Sequence, residues 1–434
     1  DGSSKFAKDH RYAFFPSVSA AWRISEENFW QPLKGWWNDM KIRGSYGSLG
    51  NQVMDDLGNF PYLATYGTNS SYNYLINGSK PVIVKAPGLV APDFTWETVT
   101  QMDFGFDASF LNNRLTGTFD WYRRNTKDML VAGATLPATL GASVPKSNSA
   151  DMKTIGWELS LGWNDRLENG FSYWVKGVLS DYQATITKYA GNDAGFYSQS
   201  DGDGKYYVGQ KIGEIWGYHS NGLFQSDDEA ATIDQSELYA GKWGAGDVKY
   251  EDLDNDGKIT KGEETIYNPG DKSIIGNKTP RYQFGITVGF DYKNFDFEMF
   301  WQGTGKRDYM LSGAQFWGFT SQWDVPYTPA LDYWTETNTD AYFPRPGWQN
   351  GGNRVTSDRY LQSAAYGRLK NLTVGYTIPK NLTTKWGISR LRLYVTGENL
   401  LTITPLNDAF DPETLGGMTY PINRKVAIGL NLTL

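Results

Sequence analysis

Arg281 to Gln302 reads RYQFGITVGFDYKNFDFEMFWQ, and the alternation inside it decides the fold. Every second residue from Tyr282 is apolar: Tyr282, Phe284, Ile286, Val288, Phe290 and Tyr292. Between them stand Gln283, Gly285, Thr287, Gly289 and Asp291. Side chains on a strand point alternately to opposite faces, so this segment has one greasy face and one small or polar face. Lys293-Asn294 predicts a tight turn. After it Phe295, Phe297, Met299 and Trp301 oppose Asp296, Glu298 and Gln302. A strand that crosses a bilayer needs roughly 9–11 tilted residues, which Tyr282 to Tyr292 supplies. Tyrosines close both ends of the greasy face, where membrane strands carry aromatic girdles. A hairpin of a soluble sandwich shows the same alternation, so repetition must decide between the two.

The pattern repeats along the chain. Val18, Ala20, Trp22 and Ile24 share a face, and Lys41 to Gly50 reads as a short glycine-rich strand. Met102, Phe104, Phe106, Ala108 and Phe110 oppose Gln101, Asp103, Gly105, Asp107 and Ser109. Similar strands begin at Leu115, Thr154, Phe171, Asn371, Leu391 and Lys425. The reading gives about eleven antiparallel strands whose connections alternate between short and long, the asymmetry of an outer-membrane barrel. Asn125–Asp151, 184–280 and 303–363 are expected as long loops. Glu158, Glu298 and Glu398 are expected to face the interior, in hydrogen-bond networks against a plug. Bacterial barrels have even strand counts, so an odd number matches the second half of a plugged barrel of about 22 strands. The expected fold class is an all-β, antiparallel transmembrane β-barrel. The opening DGSSKFAKDH begins in mid-element and carries no signal peptide, as a piece of a longer protein would.

Composition is consistent with this. The 434 residues carry a formal charge of -7, which offers no nucleic-acid footprint. No apolar run is long enough for a transmembrane helix. Cysteine is absent, which removes thiolate and disulfide chemistry. The two histidines, His10 and His219, stand in no metal-ligand spacing and argue against a zinc enzyme or a histidine-based triad. No paired carboxylates, nucleophile elbow or phosphate loop suggests catalysis.

One motif carries metal chemistry. Asp252, Asp254 and Asp256 place side-chain oxygens at positions one, three and five of a twelve-residue calcium loop. Gly257 permits the sharp turn at six, Lys258 offers its carbonyl at seven, Thr260 lies at nine and Glu263 at twelve. Asp247 to Tyr250 reads as extended, so the loop lacks the paired helices of an EF-hand. The expected ligand is calcium, as a staple for the long insert. The Asp201-Gly-Asp203-Gly204 run has no acidic twelfth residue and is expected to be a turn. Loop aromatics, Trp243, Trp317, Trp323, Trp334 and Trp348 among them, are candidates to touch substrate or a covering partner, although mutual packing is the expected state of most.

Several stretches resemble the SusC/RagA-type TonB-dependent outer-membrane transporters: Phe14–Ile24, Trp96–Leu130, Gly217–Glu229, Gly246–Thr260, Leu331–Arg345, Arg368–Pro379 and Arg390–Thr404. They occur in the family's order, and the family's calcium loop matches Asp252 to Glu263. The resemblance implies a barrel around an N-terminal plug and TonB box, which this segment lacks. It further implies a SusD-like lipoprotein lid, energy from TonB–ExbB–ExbD, contact with lipid and lipopolysaccharide in the outer membrane of a Gram-negative cell, and pairing of two such complexes. Import of oligosaccharides or oligopeptides would result. The family's last strand tends to end in an aromatic residue, whereas this one ends in Leu434. Two other readings remain open: a siderophore or metal-chelate receptor, and a secreted, calcium-stabilised, β-rich carbohydrate-binding protein.

Overall fold

The computed structural model describes the chain except residues 53–58, 70–74, 77, 81, 86, 92, 133–136, 138, 140, 142–143, 198–205 and 417–419. The run Asp201–Gly204, expected as a turn, lies outside the described residues.

Eleven strands form one sheet in the order of the chain, each antiparallel to the next. They are β1 (Ser17–Trp22), β2 (Trp37–Asn51), β3 (Glu97–Phe110), β4 (Leu115–Ala132), β5 (Lys146–Arg166) and β6 (Ser172–Tyr189). After them come β7 (Arg281–Tyr292), β8 (Phe295–Lys306), β9 (Tyr366–Thr377), β10 (Arg390–Ile403) and β11 (Lys425–Thr433).

The register aligns the two faces across strands. Tyr173, Phe290, Phe297, Val374, Val395 and Ile428 are successive neighbours from β6 to β11. Among the described residues no second sheet covers this face: in the middle of the sheet Phe104, Leu161 and Val395 remain 55%, 48% and 46% exposed. A sandwich would bury these residues between two layers, and here there is one layer. The opposite face holds ion pairs and hydroxyl contacts. Arg43 lies 3.3 Å from Asp107 and 2.7 Å from Asp120, Arg392 lies 2.8 Å from Asp296, and the Thr373 and Thr396 hydroxyls meet at 2.9 Å. Glycines on this face sit beneath rings from the adjoining strand, which take the space a Cβ would need: Tyr122 over Gly156, Phe300 over Gly285, Trp174 over Gly289.

Connections alternate in length. The β3–β4 turn runs through Leu111, Asn112 and Asn113 at φ 55°, 59° and 64°, a left-handed stretch that asparagine tolerates well. Lys293 at φ 53° makes the β7–β8 turn expected from Lys293-Asn294. The connections 52–96, 190–280, 307–365 and 404–424 all leave from the other rim.

Several boundaries differ from those expected. Strand β6 runs to Tyr189, so the insert begins at 190 rather than 184. Likewise β8 runs to Lys306 and β9 begins at Tyr366, so the next long loop is 307–365 rather than 303–363. Most of Asn125–Asp151 is strand, because β4 reaches Ala132 and β5 starts at Lys146. The cause is common to all three. At about 3.3 Å per residue, a strand of 21 residues far outreaches an apolar band of about 25 Å. Beyond the band both faces meet water and the alternation stops, while the backbone ladder continues.

Candidate functional site

The long loops are not irregular. The insert folds through Glu214–Tyr218 paired with Lys272–Asn277, and Ser220–Leu223 paired with Val248–Tyr250. It shares one core with loop 307–365 and with the loop after β10. Leu223, Val248, Tyr250 and Ile259 from the first pack with Leu311, Phe316, Trp317, Phe343 and Tyr360 from the second and Leu406, Phe410 and Leu415 from the third. The joints between them are polar. Asp247 is fully buried and accepts from Arg345 Nε at 2.9 Å, Arg345 Nη2 at 2.6 Å and Asn353 Nδ2 at 2.8 Å. Tyr250 donates to the Gly352 carbonyl at 2.7 Å. His219 bridges Asp358, 2.8 Å from Nδ1, and Ser273, 2.7 Å from Nε2. On the sheet side the buried Arg368 of β9 reaches Asp411 at 2.6 Å and Glu413 at 3.1 Å, which ties down the last long loop.

The Asp252–Glu263 loop sits on this unit, anchored by Ile259, which is wholly buried. Its turn is set by Gly257 at φ 84° and Asn255 at φ 60°. Asp252 is held by backbone N–H groups of Asn255 at 2.6 Å, Asp256 at 3.2 Å and Gly257 at 2.8 Å. Desolvation opposes its ionisation, but these bonds outweigh it and keep the carboxyl below the usual range. Asp254 is pushed the other way, by desolvation and by the charges of Asp256 and Asp271.

Carboxylate oxygens of Asp252, Asp254 and Asp271 converge within 4.8 Å of one another. Asp271 is fully buried and accepts from Leu253 N at 2.8 Å and Thr260 N at 2.7 Å. Two of the expected carboxylate ligands lie outside this group. Asp256 accepts from Lys258 N at 2.8 Å, and Glu263 is exposed. The path of the chain beyond position nine is responsible. In an EF-hand a helix returns the twelfth residue to the ion. Here residues 260–271 instead make a narrow hairpin closed by Asp271 N to Thr260 O at 3.1 Å. That hairpin delivers Asp271 in place of Glu263. The turn signal Asn268-Pro269-Gly270 directly before Asp271 pointed to the return. Three carboxylates with no nitrogen or sulfur beside them make a donor set suited to a hard cation.

The five tryptophans separate into two groups. Trp317 is buried, 4.5 Å from the Tyr360 ring centre, and Trp243 and Trp334 pack against the shared core. Trp323 and Trp348 remain 83% and 46% exposed.

Comparison with known proteins agrees with the architecture. Residues 1–400 match the family model described as TonB dependent receptor-like, beta-barrel. TonB-dependent receptor P3 of Formosa agariphila is 30% identical over 472 residues, spanning all of this chain and 43% of that protein. TonB-dependent receptor SusC of Bacteroides thetaiotaomicron is 28% identical, with 100% and 41% covered. The structure of the RagAB peptide transporter superposes with a TM-score of 0.77 at 22% identity, over 99% of this chain and 44% of that one. The chain thus spans less than half the length of the relatives it matches.

Proposed function

Because the chain belongs to the TonB-dependent receptor-like β-barrel family, we propose that it forms part of an outer-membrane importer of oligosaccharides or oligopeptides, powered through TonB and covered by a SusD-like surface lipoprotein. The observation that carries this reading is the single-layer sheet whose uncovered face is apolar and whose other face is charged. Such a sheet is stable with lipid on one side and a water-filled or plugged lumen on the other. The long loops then stand outside the cell as a rigid mouth. Asp252, Asp254 and Asp271 hold a calcium ion there, with the Lys258 carbonyl as a further ligand, and the ion neutralises carboxylates that would otherwise repel. Trp323 and Trp348 are the two candidate tryptophans left free to touch cargo or lid. The reaction is transport without catalysis.

Growth tests the reading. A strain lacking the gene should fail to grow on one class of glycan or peptide, as should a strain lacking TonB, and a surface lipoprotein should co-purify with the protein in detergent. Loss of growth only under iron limitation would move the assignment to a siderophore receptor. Recovery of the protein from the medium, soluble without detergent, would sink the importer and leave a secreted lectin.

A further inference from the structure

A cavity of about 360 Å³ opens between the insert and loop 307–365, walled chiefly by Trp216, Tyr218, Glu237, Lys261, Lys272 and Arg354. That volume falls in the range of small-molecule sites, roughly 300–1,000 Å³. In a chain of net charge -7 this wall carries three cations and one carboxylate. Lys272 is 8% exposed, 3.3 Å from Glu264 and over the Tyr218 ring at 5.4 Å. Arg354 is fixed by the carbonyls of Phe319, Gly347 and Trp348, which orient the guanidinium without neutralising it. Among the described residues neither Arg354 nor Lys261 has an ion-pair partner. Trp216 is braced by Tyr197 in a parallel stack at 4.3 Å, and the Tyr218 hydroxyl is buried without a hydrogen-bond partner among the described residues.

We propose that this cavity binds a carboxylate-bearing sugar unit. The two cations without an ion pair, Lys261 and Arg354, call for an anion, and a carboxylate meets them through charge-assisted hydrogen bonds. Rigid aromatic walls suit the apolar face of a sugar ring, while Glu237 can accept from its hydroxyls. A peptide would ask for apolar side-chain pockets, and the aliphatic lining here is limited to Leu238 and Val355. The proposal rests on the nutrient-import reading and narrows its cargo to acidic glycans. Direct binding needs no transport, so the two readings can fail separately.

Calorimetry on the purified protein in detergent tests it, with a glucuronate-containing disaccharide, the matching neutral disaccharide and a diglutamate peptide as probes. The uronate should bind about tenfold or more tighter than either of the others. Lys261→Glu, at an exposed position, should abolish that preference while the melting temperature stays unchanged; Lys272→Met should weaken uronate binding as well. Equal binding of the neutral sugar, tighter binding of the peptide, an unaltered Lys261→Glu variant, or no uronate binding at millimolar concentration would each overturn the assignment.

Discussion

The sheet and the folded loops treat the same side chains in opposite ways. In the sheet Phe104 stands 55% exposed on the outer face, while Arg43 and its carboxylate partners face inward. In the loops Phe316 and Tyr360 are wholly buried while Asp227 and Lys242 stand exposed. Such an inversion within one chain means that the two regions meet different solvents. The loops obey the rule for proteins in water, and the sheet obeys the rule for proteins in lipid.

The contrast can be broken first in the loops. Asp247→Ala leaves Arg345 and Asn353 without their buried acceptor, at an expected cost of about 3–5 kcal/mol to the loop unit. Limited proteolysis should then cut within 190–280 while the sheet keeps its heat-modifiable migration; an intact loop unit would show that the joint is unimportant. On the sheet, Val288→Arg on the outer face should cost about 2–4 kcal/mol near the bilayer midplane, measured by equilibrium folding into lipid vesicles. The same replacement at Glu298, exposed on the inner face, should stay within about 0.5 kcal/mol. Equal costs at the two positions would refute the assignment of faces. Chelating calcium should lower loop stability by about 1.4 kcal/mol when the ion had been near ten times its Kd, and Asp271→Asn should erase that difference whereas Glu263→Gln should not. At the small end, Trp323→Ala should change stability by less than about 0.5 kcal/mol. A fall in import with that variant would mark Trp323 as a cargo contact.

Legibility in the sequence divides along the same line. Glu97–Phe110 was fully legible, because lipid on one side and a polar lumen on the other impose strict alternation. The upper halves of β4 and β5 were not, since the bias disappears where both faces meet water. Inside the loops a local motif marked Asp252 and Asp254, but Asp271 joins them only through a hairpin that the motif does not contain. The shared core was hidden for a different reason. Its members come from three separated segments, so no period within any one of them shows that Trp317 and Tyr360 meet.

An odd number of strands has a directional consequence. Since β1 and β11 run the same way along the sheet, the two open borders match in polarity. Two copies inserted in the same orientation would therefore meet strand beside strand in parallel, a seam unlike every other in the sheet. Whatever completes the wall in antiparallel fashion must be a different segment, also odd in count, whose outermost strands both travel in the reverse direction.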